Sequence, residues 1–155
     1  EGLAVLAEYL TGGLDPRRLR VLAARVVAVG KMLDGAGFQD IFESLRGDHR
    51  IPARTAWSIA IRVVVGGGSV KDAIYLRGIT RILEALAEGS SLDVLFVGKL
   101  ALDHIPLIQD LLDREVLQAP WVRPRWLDVP GAQERLERLR AGASVTDLYE
   151  GDVAA

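Results

Sequence analysis

Cysteine is absent from this 155-residue chain, which excludes disulfides, redox dithiols and thiolate metal ligands. Histidine is scarce: only His49 and His104 occur, in unrelated contexts, so no H-E-x-x-H spacing exists within the chain. Positive charge is not in surplus, with 19 Lys+Arg against 21 Asp+Glu and a formal net charge of -2, and nucleic acid is therefore not an expected partner. No unbroken apolar run reaches the roughly 18 residues of a membrane span, so no membrane partner is expected either. A soluble chain in a reducing, cytoplasmic compartment fits these absences. Met32 is the single methionine and the first residue is Glu1. The chain thus lacks a signal-peptide pattern and reads as part of something longer, with an upstream segment expected to pack on it as an intramolecular partner. What is present is apolar substance. At 50% hydrophobic residues the chain can bury an ordinary core without metal or disulfide staples.

The period of that apolar content is helical. Leu3, Leu6 and Leu10 share a face of an opening helix that should stop at Gly12-Gly13. Glu1, Val5 and Glu8 fall within roughly 40° of one another on the opposite face, which leaves one face to pack and one to present carboxylates. Asp15 caps a second helix with Pro16 in its first turn, and Leu19, Leu22, Val26, Val29 and Leu33 form its stripe, with Arg18 and Arg25 off it. A short amphipathic stretch through Ile41, Phe42 and Leu45 follows. Pro52 opens a segment in which Ala56, Trp57, Ala60, Ile61 and Val64 recur at helical spacing, and that period outweighs the β-branched Val63 to Val65 cluster.

Gly66-Gly67-Gly68 breaks the segment, and Ser69 to Asp72 reads as a capping box before a helix with Leu76, Ile79, Leu83 and Leu86 inward. Gly89 closes that helix. Ser90 and Ser91 should start another through Leu92, Leu95, Phe96 and Leu100, with a break near Ile105 imposed by Pro106. From Pro120 to Pro130 the prolines suggest an extended strap anchored by Trp121 and Trp126. A charged helix from Gln133 to Arg140 ends the series. The expected fold class is all-α, about seven helices in one domain spanning 1-155. One core should draw on Leu19, Leu22, Val26, Trp57, Ile61, Leu76, Ile79, Leu83, Leu95 and Leu100. If a segment packs on the chain from upstream, an exposed apolar patch is expected beside Glu1 to Leu10.

Chemistry-bearing residues gather in two places. A carboxylate at Glu1 is an oxygen donor of the kind zinc accepts, or simply a negative charge at a helix N-terminus. The glycine triplet opens a helix N-terminus where backbone N–H groups and Lys71 can meet a carboxylate or phosphate, or it is a helix connector with a capping serine. It is not a P-loop, because no G-K-[ST] follows. His104 reads as structural, His49 as solvated, and the charged final helix as a solvated face or a cover for a neighbour.

Three stretches carry a family resemblance: EGLAVLAEYLTGGL (Glu1 to Leu14), RVVVGGGSVKDAIYLRG (Arg62 to Gly78) and VGKLALDHIPLI (Val97 to Ile108). Together they resemble the bacterial QEGLA-motif proteins labelled flavohaemoglobin expression-modulating, which are similar in turn to the microtubule-associated tyrosine carboxypeptidases. The resemblance implies a zinc site built from an H-E-x-x-x-H helix and from the glutamate of the E-G-L-A motif, here Glu1. It also implies a cleft bordered by the glycine-rich segment. Arg62, Gly67, Gly68 and Lys71 then hold a peptide or protein C-terminus, and Tyr75 hydrogen-bonds the transition state. Val65 departs from the basic residue that often precedes the glycines, and neither the H-E-x-x-x-H helix nor the glutamine before Glu1 is in this chain. Two functions follow as expectations: part of a zinc metallopeptidase of carboxypeptidase type, inactive without the histidine segment, or a non-catalytic helical binding or regulatory module.

Overall fold

The computed structural model describes residues 1–66 and 69–150, the side chains of residues 69–72, 149 and 150 excepted. Among the described residues there are eight α-helices, three 3₁₀ turns and no strand, as the helical period requires. By internal contacts the chain divides into two compact units: Glu1–Gly2 with Leu14–Gly78, and Leu3–Gly13 with the described part of Ile79–Ala155.

The first unit is built on α2 (Pro16–Leu33), α3 (Phe38–Gly47) and α4 (Ala53–Val64). Asp15 starts α2 as expected, its carboxylate accepting from Arg17 N at 2.6 Å, with Pro16 supplying a first-turn residue that needs no N–H partner. Asp40 does the same work for α3, accepting from Gly37 N at 3.0 Å. Gly66 follows α4 with φ +82°, a left-handed turn that a side chain would strain. The core of the unit is Ala24, Ala28, Val29, Ile41, Leu45, Ile51, Ala56, Ile59, Ala60 and Val63. Four of these ten are alanines, and small side chains let α2, α3 and α4 approach closely.

That alanine seam corrects the expected core. Leu19, Leu22 and Val29 are buried, but Val26, Leu33, Trp57, Ile61, Val64 and Val65 are exposed. α4 is apolar on two faces, and the face carrying its smaller residues together with Ile59 and Val63 turns inward. Trp57 lies across the edges of Phe38 and Phe42, with ring centroids 4.7 and 5.9 Å away, and leaves 53% of its surface in solvent.

The second unit includes α1 (Gly2–Leu10) from Leu3 on, the later part of α5 (Ser69–Ala87), α6 (Ile105–Asp113), α7 (Ala132–Arg140) and α8 (Asp147–Glu150). Ile79, Leu83, Leu86 and Leu95 are buried as expected, while Leu76 and Leu100 are half-buried. In α1 the expected division into a packing and a carboxylate face does not hold. Val5 and Tyr9 are buried along with Leu6 and Leu10, because the helix is apolar nearly all round. No large hydrophobic side chain of α1 is among the exposed ones, so the apolar patch expected there is not found.

The helix expected from Ser90 to Leu100 is a single 3₁₀ turn, Leu92–Phe96, capped by Ser91 Oγ accepting from Asp93 N at 3.2 Å. β-branched Val94 and Val97 with Gly98 give the run poor helix propensity. A second 3₁₀ turn, Leu102–His104, leads into α6, where Pro106 occupies the first turn. In the strap Trp126 packs on Phe96 with centroids 5.9 Å apart, but Trp121 is 90% exposed and anchors nothing. The third 3₁₀ turn, Arg125–Asp128, lies within the strap. In α7, Arg135 covers rather than solvates. Its guanidinium donates to the Leu10 carbonyl at 3.0 Å and fits where Gly12 and Gly131 lack a Cβ, which would stand 3.0 and 3.1 Å from it.

Candidate functional site

Glu1 is exposed and directly precedes α1, and Tyr75 lies half-buried in the second turn of α5. The structure brings these two together. The Glu1 carboxylate raises the Tyr75 phenol above its ordinary ionisation range, by hydrogen bonding first and by its charge second. The proton that Tyr75 would lose is the one it shares with Glu1, so the pair favours a protonated phenol beside an acceptor carboxylate.

Two further groups act on the same hydroxyl. The positive charges of Arg18 and Arg25 pull the Tyr75 phenol the other way, more weakly than Glu1 raises it. Both arginines are on α2, half-buried. A separation of seven residues turns a helix by nearly whole revolutions, so they share one face about 10 Å apart along the axis. On the sequence they are only residues off the packing stripe of α2. The signal available was their seven-residue spacing in a helix that has no carboxylate of its own.

A close backbone contact frames the pair. A Cβ built at Gly78, one turn after Tyr75 on α5, would lie 2.9 Å from Gly2 N and 3.0 Å from Gly2 Cα. Gly2 is the residue after Glu1, so the glycine on α5 sets how near the start of α1 can come.

The remaining expected residues are more scattered. Arg62 is exposed in the last turn of α4. Gly67 and Gly68 lie outside the described residues. Lys71 is in the first turn of α5, and its side chain lies outside them too. His49 and His104 are exposed; the His49 carbonyl accepts from Arg20 at 3.0 Å. Asp103 forms an ion pair with Arg81.

Metal chemistry can be judged from the donors. Among the described residues no group of three or more His, Cys, Asp or Glu side chains could hold a metal ion. Glu1 offers one exposed carboxylate, oriented by a phenol, which is how supporting hydrogen bonds aim a metal ligand. The donor set therefore fits one ligand of a zinc site and no more. No helix among the described residues is long and apolar enough to cross a membrane.

In this all-α chain, charges from Glu1, Arg18 and Arg25 all act on the Tyr75 phenol. The family model for microtubule-associated tyrosine carboxypeptidase matches residues 1–144, and the chain belongs to that family. No curated protein and no solved structure matches it.

Proposed function

We propose that this chain is the C-terminal portion of a zinc-dependent, carboxypeptidase-like catalytic domain, of the bacterial QEGLA-motif kind, and that it supplies one metal ligand and part of the substrate cleft. The observation that carries the reading is the Glu1 carboxylate acting on the Tyr75 phenol, in a chain that the family model matches over residues 1–144. Glu1 is the carboxylate ligand, beside two histidines from an H-E-x-x-x-H segment outside this chain. When bound, zinc supplies Lewis-acid polarisation of the scissile carbonyl.

The chain's own residues have three tasks in this reading. Tyr75 orients the Glu1 carboxylate through its hydroxyl and, with substrate present, holds its proton ready for a developing oxyanion. Arg18 and Arg25 place positive charge beside that hydroxyl, where the terminal carboxylate of a peptide is stabilised. Arg62, Lys71, Gly67 and Gly68 keep the role of holding the chain end that the family resemblance implies for them. The substrate class is a peptide or protein C-terminus.

The test is metal analysis of the parent protein. Glu1→Gln keeps the side-chain volume and removes the ligand charge, so zinc content should drop well below one per chain with the helical circular dichroism unchanged. Zinc content equal to wild type would remove Glu1 from the site. A second reading, a non-catalytic helical binding module, would then take its place, favoured by the outward apolar face of α4 at Trp57, Ile61, Val64 and Val65.

A further inference from the structure

We propose that the outward face of α4 is a docking surface for an anionic lipid bilayer, with the helix lying in the plane of the headgroups. The inference goes beyond the peptidase reading and needs neither zinc nor Glu1. Trp57, Ile61, Val64 and Val65 fall within an arc of roughly 100° on α4, and all four are exposed, Val65 most of all at 77%. The stripe runs about 12 Å along the helix. Beside it the half-buried Phe38 and Phe42 of α3 meet the Trp57 ring edge to face, which widens the apolar surface with aromatic groups. Cations surround this surface. Arg54 and Arg62 are exposed on α4; the first falls inside the arc one turn before Trp57, and the second roughly 60° beyond its edge. On α3 the Arg46 guanidinium stands 5.8 Å from the Phe42 ring centroid. α4 has no acid, and neither has α2, which packs against it. The acids of α3, Asp40 and Glu43, point roughly 100° or more around that helix from Phe42.

Charge and size together select the occupant. A second copy of this face would bring arginines against arginines. A stable protein partner buries about 800 Å² on each side, and a stripe about 12 Å long on a helix about 10 Å across falls well short of that. A bilayer asks for less area, because reversible attachment adds electrostatic attraction to the buried apolar side chains. It also presents anions over a plane, so Arg46, Arg54 and Arg62 meet phosphates together while their aliphatic stems lie along the apolar surface. Tryptophan is enriched at that same interface. The net charge of -2 does not oppose the contact, since exposed acids more than about 8 Å away are screened at physiological salt. No helix among the described residues is long and apolar enough to cross a membrane, but lying on one needs only an amphipathic face.

The test is co-sedimentation of the full chain with vesicles at about 0.1 M salt. Vesicles of phosphatidylserine and phosphatidylcholine in equal parts should bind it, and vesicles of phosphatidylcholine alone should bind it at least roughly tenfold more weakly. Val65→Asp puts a carboxylate at the most exposed position of the stripe and should abolish binding with the helical circular dichroism unchanged. Arg46→Gln and Arg54→Gln should each weaken binding to the anionic vesicles about fivefold. Trp121→Ser is the control, since Trp121 is 90% exposed on the strap and its loss should leave binding as it was. A measurement independent of the Val65 variant comes from Trp57 itself, which is the single tryptophan left by Trp121→Phe with Trp126→Phe. Vesicles of phosphatidylserine with brominated phosphatidylcholine should quench its fluorescence, and an unquenched Trp57 on bound protein overturns the proposal. Binding that survives Val65→Asp but is lost in Trp121→Ser also overturns it, moving the contact to the strap. Equal binding to neutral and anionic vesicles overturns it too, because the arginines would then have no part. Binding to neither overturns it and leaves the face to an acidic protein helix.

Discussion

Leu45 and Trp57 both belong to the aromatic and aliphatic packing of α3 and α4, yet they do different work. Leu45 has no exposed surface, whereas Trp57 keeps 53% of its own and contributes through edge contacts with Phe38 and Phe42. Leu45→Ala leaves a cavity and should cost about 2–5 kcal/mol. Trp57→Ala gives up two aromatic pairs worth about 0.5–1.5 kcal/mol each and should cost about 1–3 kcal/mol. Urea unfolding ranks the two, and a larger loss for the tryptophan would contradict the burial described. The sequence favoured Trp57 and Ile61 as core because a hydrophobic stripe is weighed by the size of its residues. Ala56 and Ala60 won the interior instead, since small side chains permit the close approach that three packed helices need. At the site, Glu1 was legible through its motif. Arg18 and Arg25 were not, because arginines off a packing stripe look the same whether they face solvent or a tyrosine.

Helix boundaries were legible wherever a capping residue or a glycine marks them, as at Asp15 before α2 and Gly89 after α5. They were least legible from Leu92 to Leu100, where apolar spacing was right but Val94, Val97 and Gly98 resist an α-helix. α8 was not anticipated at all, being only four residues long. Its start depends on Asp147, whose carboxylate accepts from Ser144 N and Ser144 Oγ, each at 2.6 Å. Those bonds lower the Asp147 pKa, the hydroxyl bond first and the backbone bond next. A carboxyl whose folded value is depressed lends stability above its unfolded value near 4, and that stability is lost as pH falls through the folded value. The protection of the Ser144 amide relative to its intrinsic exchange rate should therefore fall below pH ~4, and Asp147→Asn should lower it at neutral pH as well. Exchange in Asp147→Asn that matches wild type at pH 7 would show the cap to be idle. Arg135 ends α1 by a longer reach, bonding the Leu10 carbonyl from a position 125 residues away. Its loss leaves a half-buried carbonyl without that donor. Arg135→Ala should cost about 1.5–3 kcal/mol, measurable by thermal unfolding, with Arg135→Lys recovering part of it.

Charge is unevenly spread over the whole molecule despite a net value of -2. α2 and α4 contain no Asp or Glu, while α2 carries Arg17, Arg18, Arg20, Arg25 and Lys31 and α4 carries Arg54 and Arg62. Such a helix pair attracts anions although the chain as a whole would repel them, which is invisible to a composition but readable once the acid-free helices are known to pack together. If the family chemistry runs at Tyr75, the ligand is a peptide with a free terminal carboxylate, and the basic helices act on that group. Screening then separates the carboxylate contribution from the rest of the binding energy. The Debye length shrinks from about 10 Å at 0.1 M salt to about 3 Å at 1 M, less than the spacing of Arg18 and Arg25 along α2. The affinity of the parent protein for a short peptide acid, measured by calorimetry, should fall several-fold over that range, while its affinity for the same peptide ending in an amide should change little. Arg18→Gln and Arg25→Gln should each weaken binding of the acid and flatten its salt dependence, because each removes one of the charges being screened. Acid and amide responding alike to salt would mean that the basic helices serve the solubility of the fold and take no part in recognising the chain end.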